Sequence, residues 1–151
     1  MGDLRELYEE VILDHNRNPR NYPRKPDGTN HSAHGFNPIC GDEFEVHLRV
    51  ENDVIKDIGF DGAGCAISTA SASLMTEALK GKPVNEAEDL FREVHTLLTA
   101  EKQAGEPTEF LGKLTVLTGV KEYPMRVKCA TLAWHTMRAA LGDDTSTVTT
   151  E

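Results

Sequence analysis

Leu4, Leu7, Tyr8, Val11 and Ile12 recur at helical spacing, which predicts a helix over residues 3–15 with one apolar stripe. Asp3 stands where it can cap that helix, with Glu6 at the third helical position. The run Asn16 to Pro23 ends it, and from there to Ile39 the chain is rich in Pro, Asn, Gly and His. That composition predicts a long loop over residues 16–39 with a turn at Asp27-Gly28. A loop of this length inside a compact domain generally has a function. A weak strand is expected within it, around His31 to Asn37.

The pattern then switches to period two. Phe44, Val46, Leu48 and Val50 face one side, and Glu43, Glu45, His47 and Arg49 face the other, the wet side. Glu51-Asn52-Asp53 supplies a turn, and a strand returns from Val54 to Phe60 with Val54, Ile58 and Phe60 inward. After Gly62-Ala63-Gly64 the spacing becomes helical again through Ile67, Ala70, Ser71, Leu74, Ala78 and Leu79, with Gly81 as the stop. Asn85 and Glu88 make a capping-box variant that opens a third helix, running through Leu90, Phe91, Val94, Leu97 and Leu98. A shorter helix or paired segment is expected over residues 111–120. Pro124 suits the first turn of a last long helix through Val127, Leu132, Trp134, Met137 and Leu141. Residues 143–151 are acidic and Thr-rich and are expected to be a disordered tail. Strands first and helices after give an α+β fold: one domain over residues 1–142, a small three-stranded antiparallel sheet, and about five helices mainly on one face.

The chain's 151 residues suffice for a core without staples, and no apolar run approaches the roughly 20 residues of a membrane span. The charged N-terminus lacks the apolar segment of a secretory signal. The odd cysteine count, three, suits a reducing cytoplasm with free or metal-bound thiols. A net charge of −9 argues against a nucleic-acid partner. Arg17, Arg20, Arg24 and Lys25 nonetheless share one loop without an intervening acid, and Arg126 and Lys128 flank the last cysteine. Scattered basics on an acidic surface would look the same; the sharper expectation is a basic patch that meets an acidic partner.

The cysteines carry the chemistry. Cys40 precedes the hairpin, Cys65 begins the second helix, and Cys129 falls in the first turn or two of the last one. Helix N-termini favour anions, so the latter two positions favour thiolates. Gly62 and Gly64 let the backbone turn tightly beside Cys65. Buried cysteines also serve as small hydrophobes, but Gly41-Asp42 beside Cys40 and the charges beside Cys129 favour a metal or reactive-thiol site. Asp42 is the natural fourth ligand to Cys40, Cys65 and Cys129. Three thiolates and one carboxylate would form an anionic tetrahedron, and the hard oxygen ligand hints at a site that opens. Gly62-Ala63-Gly64 lacks the remaining residues of either nucleotide-binding glycine motif. The run Ser68 to Ser73 lacks a nucleophile elbow and is expected to pack closely on a neighbour. The six histidines are ordinary surface residues more often than ligands.

Taken together, Leu7-Tyr8, Val11 to His15, Asn18 to Asn21, Asn37-Pro38-x-Cys40-Gly41-Asp42, Gly62-x-Gly64-Cys65-x-Ile67-Ser68 and Lys128 to Trp134 resemble the U-type iron–sulfur assembly proteins over residues 4–142. Scaffold-type members (IscU) carry a His immediately before the third cysteine and a Leu-Pro-Pro-Val-Lys segment upstream. Here Lys128 takes that place, and extra residues stand around 101–119, features that look like the SufU branch. The resemblance implies an IscU-like fold and a zinc-dependent sulfurtransferase acting with a PLP-dependent, SufS-type cysteine desulfurase. A SufBCD-type assembly complex is the candidate further partner. It also implies that Cys40, Asp42, Cys65 and Cys129 hold Zn2+ and that Cys40 accepts persulfide sulfur. Cys65 and Cys129 would be anchors, Asp42 the labile ligand, and Cys40 the one that leaves when a partner's ligand, a His by chemistry, competes for the metal. Arg126 is the candidate to steer a persulfide or pair with Asp42, and Lys128 to meet the partner. Two alternatives remain: a scaffold for a labile Fe–S cluster on the same thiolates, and a structural zinc domain that docks partners.

Overall fold

The structure, a computed structural model, describes residues 4–38, 41–99, 124–142 and 148–149. It runs α1 (Leu4–Arg17), β1 (His31–Asn37), β2 (Asp42–Glu51), β3 (Val54–Ala63), α2 (Ala66–Leu79), α3 (Val84–Thr99), α4 (Pro124–Leu141) and β4 (Val148–Thr149). The sheet has the order β3-β2-β1-β4, antiparallel through β1, β2 and β3, with β4 parallel to β1. The α+β class and its antiparallel meander are as expected, with two differences. Four helices are described rather than about five, because residues 111–120 lie outside the described ones. Residues 148–149 are not a disordered tail: they pair with Gly35 and Phe36 of β1. The β-branched Val and Thr suit an extended backbone, and the β1 edge offers unpaired peptide groups.

The inner face of the sheet is apolar, with Phe44, Val46 and Leu48 of β2 facing Ile55, Ile58 and Phe60 of β3 in the core. Ile55 takes the inward place expected for Val54. Arg49 pairs with Asp57 but Val50 pairs with Ile55, so Lys56 is an extra residue and the alternation reverses there. His47, expected on the wet face, is buried to 3% exposure. Its Nδ1 lies 2.8 Å from Ser32 Oγ and its Nε2 3.1 Å from Asp61 Oδ2, so neighbouring strands enclose the ring.

Helix α2 packs against α1, α4 and β3, which is why its buried positions run almost all the way round. Its small side chains allow that closeness, as the Ser68 to Ser73 run led one to expect. Ser71 Oγ donates to Ala130 O at 2.5 Å and accepts from Trp134 Nε1 at 3.2 Å. Ser73 Oγ bonds His15 Nδ1 at 2.7 Å and accepts from Arg20 N at 2.8 Å. Helix α4 lies on β1 and β2 at the shortest possible range: a Cβ on Gly35 would stand 2.0 Å from Thr136 Oγ1 and 3.2 Å from Leu132 Cδ1.

The connection from α1 to β1 covers the outer edge of β3, with Phe60 N donating to Asn21 O and Arg24 N donating to Phe60 O, each at 3.1 Å. Two of its arginines are tied to acids of this chain, Arg20 to Asp14 at 2.7 Å and Arg24 to Asp57. The expected basic patch is therefore partly neutralised. Helix α3 starts two residues earlier than the Asn85 cap predicts. Ala87 N donates to Pro83 O, Val84 N donates to Asp53 O, and Pro83 bridges to Val54, so the hairpin fixes the entry and Asn85 falls inside the first turn. Among the described residues no helix is long and apolar enough to cross a membrane.

Candidate metal centre

Asp42 is the first residue of β2, and the alternation that buries Phe44, Val46 and Leu48 carries it to the same inner face. It pairs across the sheet with Asn37, the last residue of β1, and both side chains are fully buried. Asp42 Oδ1 accepts the backbone N–H of Cys65 at 2.8 Å. Its Oδ2 is buried with no hydrogen-bond partner among the described residues. A carboxylate oxygen without a partner in such a place is costly, unless a cation meets it.

Two thiols face this carboxylate. Cys65 is the N-cap of α2, and its Sγ accepts from Ser68 N at 3.4 Å, the bond an N-cap oxygen would ordinarily make. Gly64 admits the close approach: a Cβ there would meet Ser68 Oγ at 2.4 Å, Phe44 Cζ at 2.8 Å and Asp42 Oδ1 at 2.9 Å. Cys129, buried, arrives from α4. Leu132 and Thr136 seat that helix on Gly35, and three residues back from Leu132 the same helix face reaches the Asn37 end of β1. Asn37 Nδ2 donates to Cys129 Sγ at 3.6 Å.

A carboxylate oxygen of Asp42 and the sulfurs of Cys65 and Cys129 lie within 4.8 Å of one another. Zinc–thiolate bonds of about 2.3 Å would draw these groups together by only a small adjustment. The donor set, two sulfurs and one carboxylate oxygen, fits a borderline-soft divalent cation. Three of the four expected ligands are thus brought together by elements distant in sequence; Cys40 lies outside the described residues. Arg126 is exposed and Lys128 half-buried, both in the early turns of α4 that carry Cys129. Sequence reasoning missed the roles of Asn37 and Ser68. The signal for Asn37 was available: Ala33, Gly35 and Asn37 continue an inward period-two pattern whose last member is polar.

A second group, Glu45, His47 and Asp61, stands on the opposite face with ligand atoms equally close. There both imidazole nitrogens already have protein partners, and Glu45 is exposed. The group accounts for itself as a hydrogen-bonded cluster.

Residues 7–143 match the family model described as NifU-like N terminal domain. The chain is 34% identical to the zinc-dependent sulfurtransferase SufU of Bacillus subtilis, over 95% of each chain. It is 42% identical to the iron–sulfur cluster assembly scaffold protein IscU of Thermotoga maritima, over 89% of this chain and 92% of that one. A crystal structure from Fervidobacterium islandicum, of a protein assigned as an iron–sulfur cluster assembly scaffold for the SUF system, superposes with a TM-score of 0.81 at 32% identity, covering 92% of this chain and 99% of the other.

Proposed function

This chain belongs to the family of NifU-like N-terminal domains, iron–sulfur cluster assembly proteins of the SufU and IscU kind, and from that premise we propose that it is a zinc-bound sulfur-transfer protein. It would work in the cytoplasm, accepting sulfur from a SufS-type, PLP-dependent cysteine desulfurase, stimulating that enzyme, and supplying a SufBCD-type assembly complex. The observation that carries the reading is the buried Asp42 carboxylate, which lies close to two thiols and whose Oδ2 has no hydrogen-bond partner among the described residues. The name of the B. subtilis relative points the same way, as does Lys128 in the place where scaffold-type members resemble one another in carrying His.

Asp42, Cys65 and Cys129 would hold the metal together with Cys40. Bound zinc is redox-inert and keeps ligating thiols deprotonated at neutral pH. The chemistry itself belongs to the chain. The Cys40 thiolate attacks the outer sulfur of a persulfide on the partner; a new S–S bond forms, the partner's S–S bond breaks, and the partner's cysteine leaves as a thiolate. Nothing is oxidised or reduced overall, because one sulfane sulfur changes hosts. Ser68 N–H and the Asn37 amide would hold the two anchoring sulfurs during this exchange, and Arg126, exposed, and Lys128, half-buried, would meet the partner.

The test is desulfurase activity with Cys40→Ser. Alanine production from cysteine should lose its stimulation; retained stimulation would remove Cys40 from the acceptor role. The identity to IscU-named scaffolds favours a second reading, in which the same thiolates carry a labile Fe–S cluster. Metal analysis separates the two: stoichiometric zinc in a colourless protein supports the first. A brown protein after anaerobic reconstitution, able to pass its cluster to an apo-acceptor, supports the second.

A further inference from the structure

Asn37 is fully buried at the thiol group, and nothing in the ligand set assigns it work. Its position is doubly constrained. Its carbonyl accepts the Gly41 N–H at 2.8 Å, closing the turn between β1 and β2. Its side-chain amide donates to Cys129 Sγ at 3.6 Å.

The two described thiols sit in different electrostatic settings. Cys65 caps α2, so the helix N-terminus itself supplies an N–H to its sulfur, that of Ser68. Cys129 lies deeper, the sixth residue of a helix that begins at Pro124. Backbone N–H groups at that depth are committed to carbonyls four residues earlier, and the helix dipole acts within the first turn. Sequence placement suggested a helix N-terminus for Cys129; at this depth a strand residue, Asn37, supplies an N–H to its sulfur. A thiolate only accepts, so the NH2 end of the Asn37 amide must face it. A neutral amide is also well matched here: a Lys would compete with the metal, and an Asp would repel the sulfur.

We propose that Asn37 is a positioning residue of the metal centre: its amide N–H···S bond orients the Cys129 thiolate and withdraws charge from it, as Ser68 N–H does for Cys65. The inference rests on the metal-centre reading above. Such outer partners typically contribute about 10–100-fold in metal affinity. Asn37→Ala should therefore bind zinc about 10–100-fold more weakly in competition with a chromophoric chelator. With Co2+ in place of zinc, its thiolate-to-metal charge-transfer bands should move to lower energy, because the sulfur donates more freely.

An Asn37 that served only packing would lower the melting temperature of the metal-free protein and leave the cobalt bands where they are, which would overturn the proposal. The unsubstituted chain decides the matter if Asn37→Ala fails to fold. Loaded with 113Cd and labelled with 15N, it should show scalar coupling between the metal and an Asn37 Hδ2 proton. Metal bound without that coupling refutes the role of Asn37 alone. Failure of the intact chain to bind Zn2+, Co2+ or Cd2+ at all refutes the metal centre and this inference together.

Discussion

Asp42 continues the inward alternation of Phe44, Val46 and Leu48, yet carries an anionic group into that face. Asp42→Asn keeps its size and the acceptor for Cys65 N–H but removes the anionic oxygen. Zinc affinity should fall at least about tenfold by chelator competition. The metal-free protein should be no less stable to denaturant, since the mutation removes a buried charge that lacks a hydrogen-bond partner on Oδ2. Gly64→Ala attacks the same place sterically. A methyl group 2.9 Å from Asp42 Oδ1 and 2.8 Å from Phe44 Cζ should cost about 1–3 kcal/mol of stability, read from the denaturant midpoint. It should also weaken zinc binding by displacing the carboxylate. At this scale the sequence was informative where the chemistry was distinctive. Asp42, Cys65 and Cys129 could be singled out by residue type and neighbours, whereas Asn37 was marked only by the faint period-two pattern of Ala33 and Gly35 before it. An Asn before a Pro reads as a loop residue until its register against Asp42 is known.

Among the elements, α2 and α4 form the joint that holds Cys65 and Cys129 in reach of each other. Ser71 pins it by bonding both Ala130 O and the indole of Trp134, the chain's single tryptophan. Ser71→Ala leaves the buried indole N–H without that acceptor and should cost about 1–3 kcal/mol. Trp134 fluorescence in a denaturant titration reads the loss directly. The joint of α3 and α4 carries a pH dependence. Burial, then the charges of His95 and Arg138, holds the His135 imidazole below its ordinary range. The unfolded chain therefore takes up a proton more readily than the native one. The contribution of this group is complete above the unfolded value of about 6.5 and is lost as pH falls through the depressed native value. Asp14, through its hydrogen bond with Arg20, and Asp57, where the Ile58 N–H and Arg24 outweigh burial, are both lowered and act in a more acidic window. His135→Gln should consequently lose less stability than the parent between pH 7.5 and 5.5, roughly the span around a free imidazole's titration; equal losses would contradict it. Strand and helix periods were legible in the sequence for the hairpin, α2 and α4. The inward turn of Ile55 was not, because a bulge at Lys56 changes phase without any change in residue type. Nor was the start of α3, which the hairpin dictates through Asp53 and Val54 rather than any local cap.

At the scale of the whole molecule, four elements meet at one end of the sheet: the close of β1, the first residue of β2, the N-terminus of α2 and the second turn of α4. Sequence order conceals that meeting, because Cys129 and Asp42 come together through the close packing of α4 on Gly35. The α+β class could be read from strands preceding helices, but the short β4 could not, since two β-branched residues near the chain's end become a strand only where an open edge receives them. The convergence brings a candidate metal-binding group to the end of the sheet where β1 closes and β2 begins, and on the proposed reading sulfur transfer would be a property of the assembled fold. Mass spectrometry after incubation with a cysteine desulfurase and cysteine tests that claim most directly. The account predicts a gain of one sulfur on the peptide containing Cys40, absent in Cys40→Ser and diminished in Asp42→Asn. An unmodified Cys40 peptide, in protein that carries stoichiometric zinc and stimulates the desulfurase, would contradict it.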